Sequence, residues 1–451
     1  MGKPDEIDPR LKAYLHRGAG TPPPAGLEVR IIAGTRRPKT GWVLQVAAAA
    51  ALLALAIGLG IVVQRARQSV GVTPSASSVP PPLLSPVVKP TPYPTHATSG
   101  AEYPLLPPAS MHMISASTGW AASSGTRHVL RTTDGGSHWY DAAPGPEAVK
   151  LGTWTTFFLD ANHGWLASSD HPGSTSPDFS VAIARTVDGG QTWNEAVDSP
   201  VAADQGWPAS MQFVDASHGW VFMTLGSAAG SQGVALYGTV NGGMTWTKLS
   251  EADTSGSPGH LPLGCSKSAP VFLNSTTGWI PGSCNAGGGP FFYVTHDAGQ
   301  TWNDAGLSLP AGYSGSCMCE ISSLRFSDSR NGVFVLDIYG ADGLPHNFLY
   351  ATHDAGASWQ PGPTLPPNCF TADFINATEG WTLNAKGNTI LYTSDAGQHW
   401  STLGTVPSSQ VVIDLEFVNT TTGWAMGSEP TGNTLIKTSD GGRTWTTQLS
   451  P

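Results

Sequence analysis

Phe417-Val418-Asn419, then Thr422-Gly423-Trp424, then Thr438-Ser439-Asp440-Gly441-Gly442-Arg443-Thr444-Trp445 make up the last copy of a pattern that organises the chain. The Gly-Trp half recurs as Thr118-Gly119-Trp120, His163-Gly164-Trp165, His218-Gly219-Trp220, Thr277-Gly278-Trp279 and Glu379-Gly380-Trp381, with a degenerate copy at Asn331-Gly332-Val333. Phe-x-(Asp/Asn) precedes most copies, as in Phe213-Val214-Asp215. The second half begins at Thr132, Thr186, Thr239, Thr295, Thr352, Thr393 and Thr438. It ends at Trp139, Trp193, Trp246, Trp302, Trp359, Trp400 and Trp445, so successive Trp residues lie 54, 53, 56, 57, 41 and 45 apart. A repeating unit of that size is the mark of a solenoid or a propeller.

Each half reads as a β-hairpin. Runs such as Val129-Leu130-Arg131-Thr132 and Phe292-Tyr293-Val294-Thr295 are rich in strand formers and lead into Asp-Gly-Gly or Asp-Ala-Gly. Glycine gives the turn its positive φ, Asp and Thr side chains satisfy the turn backbone, and Trp carries a large apolar face into the next strand. Two hairpins per repeat make four strands. Seven such sheets closing on themselves leave only short edges, so the expected fold is all-β, a seven-bladed β-propeller over residues 109–451.

Composition agrees with a turn-rich β protein. Among 451 residues there are 54 Gly, 37 Pro and 16 Trp, and only 12% are charged. From Ala109 onward 11 Lys/Arg face 27 Asp/Glu. Nucleic acid is excluded as a partner, because phosphate recognition needs a basic footprint. The five Cys are too few for a disulfide scaffold.

Residues 42–63, Trp42 to Val63, hold one polar side chain (Gln45) and no charge. As a helix they would span roughly 33 Å, enough for a hydrocarbon core of about 30 Å. The run is longer than a cleavable signal and exits into Gln64-Arg65-Ala66-Arg67, so a retained signal anchor is expected. Arg30, Arg36, Arg37 and Lys39 precede it, which places residues 1–41 as a cytoplasmic tail and the bulk of the chain outside the cell membrane. Residues 64–108 are rich in Pro and Ser and read as an extended stalk.

The repeats resemble the Asp-box, or bacterial neuraminidase repeat. With the Phe-x-Asp-x-x-x-Gly-Trp half, the pattern looks most like the photosystem II stability/assembly factor-like family. The resemblance implies a seven-bladed propeller, often a protein-binding scaffold, in which the Asp-box is architectural. Asp134, Asp188, Asn241, Asp297, Asp354, Asp395 and Asp440 are accordingly expected to be structural. Asn241 in place of Asp itself argues for hydrogen bonding rather than charge.

Both motif turns of every repeat must point to one face of the ring, so length variation falls on the opposite face. Binding residues are expected on these loops: Asp170, His171, Asp178, Trp207, His260, Tyr313, Asp342 and His346. Cys265 and Cys284, symmetric about the Asn274-Ser275-Thr276-Thr277 turn, are expected to form a disulfide, with Cys317 or Cys319 bridging to Cys369. Neither a cofactor nor a metal site is expected. A sialidase needs several free Arg, and Arg131, Arg185 and Arg443 sit within or beside the turns. A glycoside hydrolase needs only two opposed carboxylates, for which Asp170, Asp204 and Asp342 are available. The leading expectation is a membrane-anchored scaffold without catalytic residues, binding a protein at the membrane or envelope. The alternative is a glycan-binding or glycan-cleaving ectodomain.

Overall fold

The computed structural model describes residues 93–94, 110–123, 128–145, 154–169, 181–195, 206–228, 230–254, 259–284, 288–313, 317–339, 345–384, 386, 388–407, 411–429 and 432–449. All belong to the compact unit Pro86–Pro451. The expected tail, anchor and most of the stalk (1–41, 42–63, 64–108) lie outside the described residues. Among the described residues no helix is long and apolar enough to cross a membrane.

Every sequence repeat forms an antiparallel run of strands in chain order. The first is Ser110–Met113, Gly119–Ser123, His128–Thr132 and Tyr140–Asp141; the last is Val411–Phe417, Gly423–Glu429, Gly432–Thr438 and Thr446–Leu449. Short additions decorate the pattern: Tyr93–Pro94 joins the outer edge of the second repeat, and Ser283 pairs with Glu320 to join the fourth repeat's sheet to the fifth's. The fold is all-β and of the β-propeller type.

The turn chemistry explains why the motif needs its residues. Thr132 Oγ1 donates to Asp134 Oδ1 at 3.0 Å and accepts the Gly136 N–H at 2.9 Å. Asp134 Oδ1 then accepts the N–H of His138 at 2.9 Å, closing the loop. The same set recurs at Asp188, Asn241, Asp297, Asp354, Asp395 and Asp440. The residue after Asp sits at positive φ, and Ala298, Ala355 and Ala396 tolerate it where glycine is missing. The turn also ties the two hairpins together: its N–H donates to a carbonyl of the Gly-Trp turn, as Gly441 to Thr421 at 2.8 Å and Ala298 to Thr276 at 2.8 Å.

Repeats lock to one another through the Gly-Trp tryptophan. Trp220 lies flat on Phe272 of the next repeat, centroids 3.6 Å apart, and donates Nε1 to the Ala298 carbonyl at 2.8 Å. Trp165 on Phe213 and Gly242, and Trp381 on Phe417 and Gly441, repeat the arrangement. Trp424 closes the circuit by donating to Gly135 of the first repeat at 3.1 Å. Glycine precedes this Trp because a Cβ at Gly219 would stand 2.4 Å from the Phe213 ring. Where the sequence allows it, a cation opposite the Trp reinforces the bond. Arg185 and Lys437 donate to the Gly242 and Gly135 carbonyls at 3.1 Å each.

Cys265 and Cys284 are joined by a disulfide, while Cys317 pairs with Cys319 rather than with Cys369, which is free and buried. Beside the first bridge the Lys267 ammonium is enclosed by the carbonyls of Gln232, Leu263, Gly264 and Cys265 at 2.9–3.1 Å.

Trp279 breaks the rule in one respect: its stack on Phe326 is tilted and its buried Nε1 has no partner. Replacing Trp220 by Phe orphans the Ala298 carbonyl, whereas replacing Trp279 by Phe costs no hydrogen bond. W220F is therefore expected to lose more stability than W279F by about 1 kcal/mol or more, read from denaturant midpoints.

Candidate functional site

The residue just before the Phe anchor of each first strand pairs across the sheet with the Gly-Trp position. These residues are His112, Phe157, Gln212, Val271, Arg325, Asp373 and Glu416, in repeat order. They are uncharged in repeats two to four. In repeats five, six, seven and one they are all ionisable, so the ionisable groups form one continuous arc. That arc borders a cavity of about 490 Å³, lined by Met111, Arg325, Asp373, Asp414 and Glu416 among others.

Within the arc each side chain engages the neighbouring repeat. The Arg325 guanidinium is ion-paired with Asp373. Asp373, buried, also accepts the Phe417 N–H at 2.7 Å. Glu416 accepts the Met113 N–H at 2.8 Å and meets His112 Nδ1 at 3.0 Å. Burial works against a charged His112, but the hydrogen bond and charge of Glu416 outweigh it and raise its pKa. Asp414 stands two residues from Glu416 on the same strand, hence on the same side of it. Burial, with the adjacent Glu416 charge adding to it, pushes Asp414 up to about 6.

Local backbone irregularity aims this set. The first strands of repeats five, six and seven each carry a register shift, between Ser322 and Arg325, Cys369 and Ala372, and Val412 and Asp414. Bulges re-aim side chains and recur beside active sites. Ser323, which lines the cavity, takes φ 55°, a conformation that non-glycine residues adopt at a cost.

Among the described residues no three His, Cys, Asp or Glu side chains converge as metal ligands. Asp and Glu instead offer acid–base chemistry. A carboxyl that keeps its proton near pH 6 beside an acceptor carboxylate is a donor–acceptor pair whose environments differ. The Asp-box acids offer nothing comparable. Hydrogen bonds from Ser358, His399 and Thr444 hold Asp354, Asp395 and Asp440 down at about 2, with their acceptor capacity spent on their own turns.

No family model matches the chain, and no curated protein matches it. Solved structures do. The GH74 xyloglucanase from Xanthomonas campestris is 14% identical with TM-score 0.46; the match covers 76% of this chain and 54% of that one. A polysaccharide lyase of the PL25 ulvan lyase family is 12% identical over 77% of this chain and 94% of that one, TM-score 0.49. The α-L-arabinanase of Penicillium chrysogenum is 14% identical over 66% and 93%, TM-score 0.38. At these identities the likeness is one of fold alone. All three are carbohydrate-active enzymes; the leading expectation of a non-catalytic protein-binding scaffold has no counterpart among them and is dropped.

The loop residues expected to bind are dispersed. Asp170, His171, Asp178 and Asp342 lie outside the described residues. Trp207 opens a first strand of repeat three, and His260 pairs with Asp253 at 2.9 Å. Tyr313 and His346 do meet, ring centroids 6.1 Å apart, with Phe348 edge-on to Tyr313. Of the four that are described, none lines the 490 Å³ cavity. The charged residues that line the cavity, Arg325, Asp373, Asp414 and Glu416, sit inside strands, where no loop or turn signal marks them. Their signal is an ionisable residue immediately before Phe374, Phe417, Phe326 or Met113.

Asp414 pays for its charge in the folded state. Its pKa is raised above the unfolded value, so the folded protein is favoured at low pH and loses stability as pH rises from about 4 through about 6. Asp414→Asn removes that loss. The variant is expected to unfold at higher denaturant than the parent at about pH 7.5, by at most about 3 kcal/mol, and to match it at about pH 3.5.

Proposed function

We propose that this chain is a glycan-cleaving β-propeller whose active site is the axial cavity. Asp414 is the proton donor to the leaving oxygen, and Glu416 is the partnered carboxylate that activates water or the anomeric centre. The observation that carries the reading is that these carboxyls share one strand face, with Asp414 kept protonated by burial and by Glu416. Two carboxyls in unlike environments are what glycosidic cleavage requires. His112 fixes Glu416, while the Arg325–Asp373 pair lines the same cavity.

The packing of the last repeat on the first supports a further part of the proposal: the seven sheets are the blades of one closed ring. In the same proposal residues 42–63 anchor that ring at the outer side of a membrane, above the stalk 64–108. Disulfides persist there and polysaccharide is met there. The finer resemblance to photosystem II stability/assembly factor-like proteins concerns the repeat pattern and supplies no role.

The test is release of new reducing ends from a panel of plant, algal and bacterial polysaccharides by the purified full chain. Asp414→Asn and Glu416→Gln are each expected to lower turnover by about 10²-fold or more while leaving the far-UV spectrum unchanged. Activity should fall as pH rises through about 6, where Asp414 gives up its proton. Turnover that survives both substitutions sinks the assignment.

A further inference from the structure

The junction between repeats five and six is built without the usual lock. Val333 stands where the other repeats carry Trp, so the indole stack and its N–H are both missing. The face of repeat five turned toward repeat six carries Val333, Val335 and Leu349, packed with Cys369 and Phe374. Further along the same strands and the same face this apolar surface gives way to oxygen. Glu320, Asp337 and Asn347 are paired across three adjacent strands, and Ser322 donates to Asp337 Oδ2 at 3.2 Å.

Two oxygens in this row are unsatisfied. Asn347 is 8% exposed, and it gives Nδ2 to the Cys369 carbonyl of repeat six at 2.7 Å. That bond fixes the amide and leaves Oδ1 without a partner. Asp337 Oδ1, equally closed from solvent and on the facing position, has no partner either. Two acceptors side by side in a buried place each forfeit the hydrogen bond they had in water. Glu320, paired with Asp337 across the strands, adds a second carboxylate to the row, and among the described residues no Lys or Arg is bonded to it. The arrangement lacks a positive or donating centre.

We propose that this row binds a calcium-like hard cation, held by Asp337 Oδ1, Asn347 Oδ1 and the Glu320 carboxylate, and that the ion pins repeat five to repeat six where the tryptophan is absent. All the donors are oxygen, which disfavours softer metals. Glu320 is exposed, so water completes the shell on one side, and a mixed carboxylate–amide–water shell of loose geometry suits calcium better than magnesium. The inference is independent of the glycan-cleaving reading, since it concerns binding alone.

The test uses the full chain stripped with chelator and followed by thermal unfolding. Millimolar calcium is expected to raise the midpoint by a few degrees and equimolar magnesium by much less, because binding only to the native state stabilises it. Terbium, added alone, should give sensitised emission that calcium displaces. Asn347→Leu and Asp337→Asn should abolish both responses. Glu320→Gln, an exposed change that leaves the fold intact, should weaken calcium binding several-fold and so serves if the buried variants do not fold. The site is overturned if the stripped parent ignores calcium. It is equally overturned if Glu320→Gln and the buried variants respond as the parent does. A parent that ignores calcium and an Asp337→Asn variant more stable above neutral pH would identify a shared proton as the missing centre instead.

Discussion

One contact sets the spacing of most junctions: the indole of a Gly-Trp pair reaches out of its own sheet and into the turn of the next. The ring lies on the next repeat's Phe and the N–H ends on a carbonyl of the next repeat's Asp-box, as with Trp165, Trp220 and Trp381. A stacked pair adds about 0.5–1.5 kcal/mol beyond its buried area, and losing the donor to a buried carbonyl costs about 1–3 kcal/mol. The Asp-box must therefore be rigid, since a floppy turn would present its carbonyl in no fixed place. Thr Oγ1 and Asp Oδ1 supply that rigidity from within the turn, which is why the acid is kept in every repeat but the third, where Asn241 makes the same bonds.

Because the junctions are set near the turns, the inner strands are left free to vary. The anchor is Phe in all repeats but the first, which has Met113, while the residue before it ranges from Phe157, packed on Phe213, to Gln212 and Asp373, which bond to the next repeat. Repeats three and six show the neutral and charged solutions of one geometry. Gln212 brackets Phe272 by bonding both its N–H and its carbonyl, at 2.7 and 3.0 Å. Asp373 takes only the Phe417 N–H and has an oxygen left for Arg325. The charged arc is thus the same bonding scheme with its remaining oxygen turned to a charged partner.

The repeat, its turns and its strands were legible in the sequence because Gly, Asp, Thr and Trp are each demanded by a local constraint at a fixed spacing. The Gly before Trp220, forced by the Phe213 ring, is an example of a constraint strict enough to read from letters alone. The axial site was not read, for a physical reason. Arg325, Asp373, Asp414 and Glu416 lie about 90 residues apart end to end and gather only when the ring forms, and a strand interior conceals a charge that a loop advertises. Loop residues such as Trp207 and His260 were attractive because loops carry function on rigid scaffolds, but the structure keeps them in their own repeats.

Repeat five, whose Gly-Trp copy is degenerate, shows what happens when the junction contact is withdrawn. Without an indole at Val333 the next repeat is held by aliphatic packing and by Asn347 reaching the Cys369 carbonyl. The same repeat carries the bulged strand with Ser323 in the left-handed region and sends Arg325 into the cavity. It also holds Asp337, whose buried Oδ1 has no partner. Loss of a packing residue, a left-handed Ser323 in the bulged strand and half-satisfied oxygens are local departures from the common pattern that fall together in this repeat. Such departures persist where they serve something other than the fold. Repeat five is therefore where the repeat pattern gives up regularity, beside the cavity that Ser323 and Arg325 line.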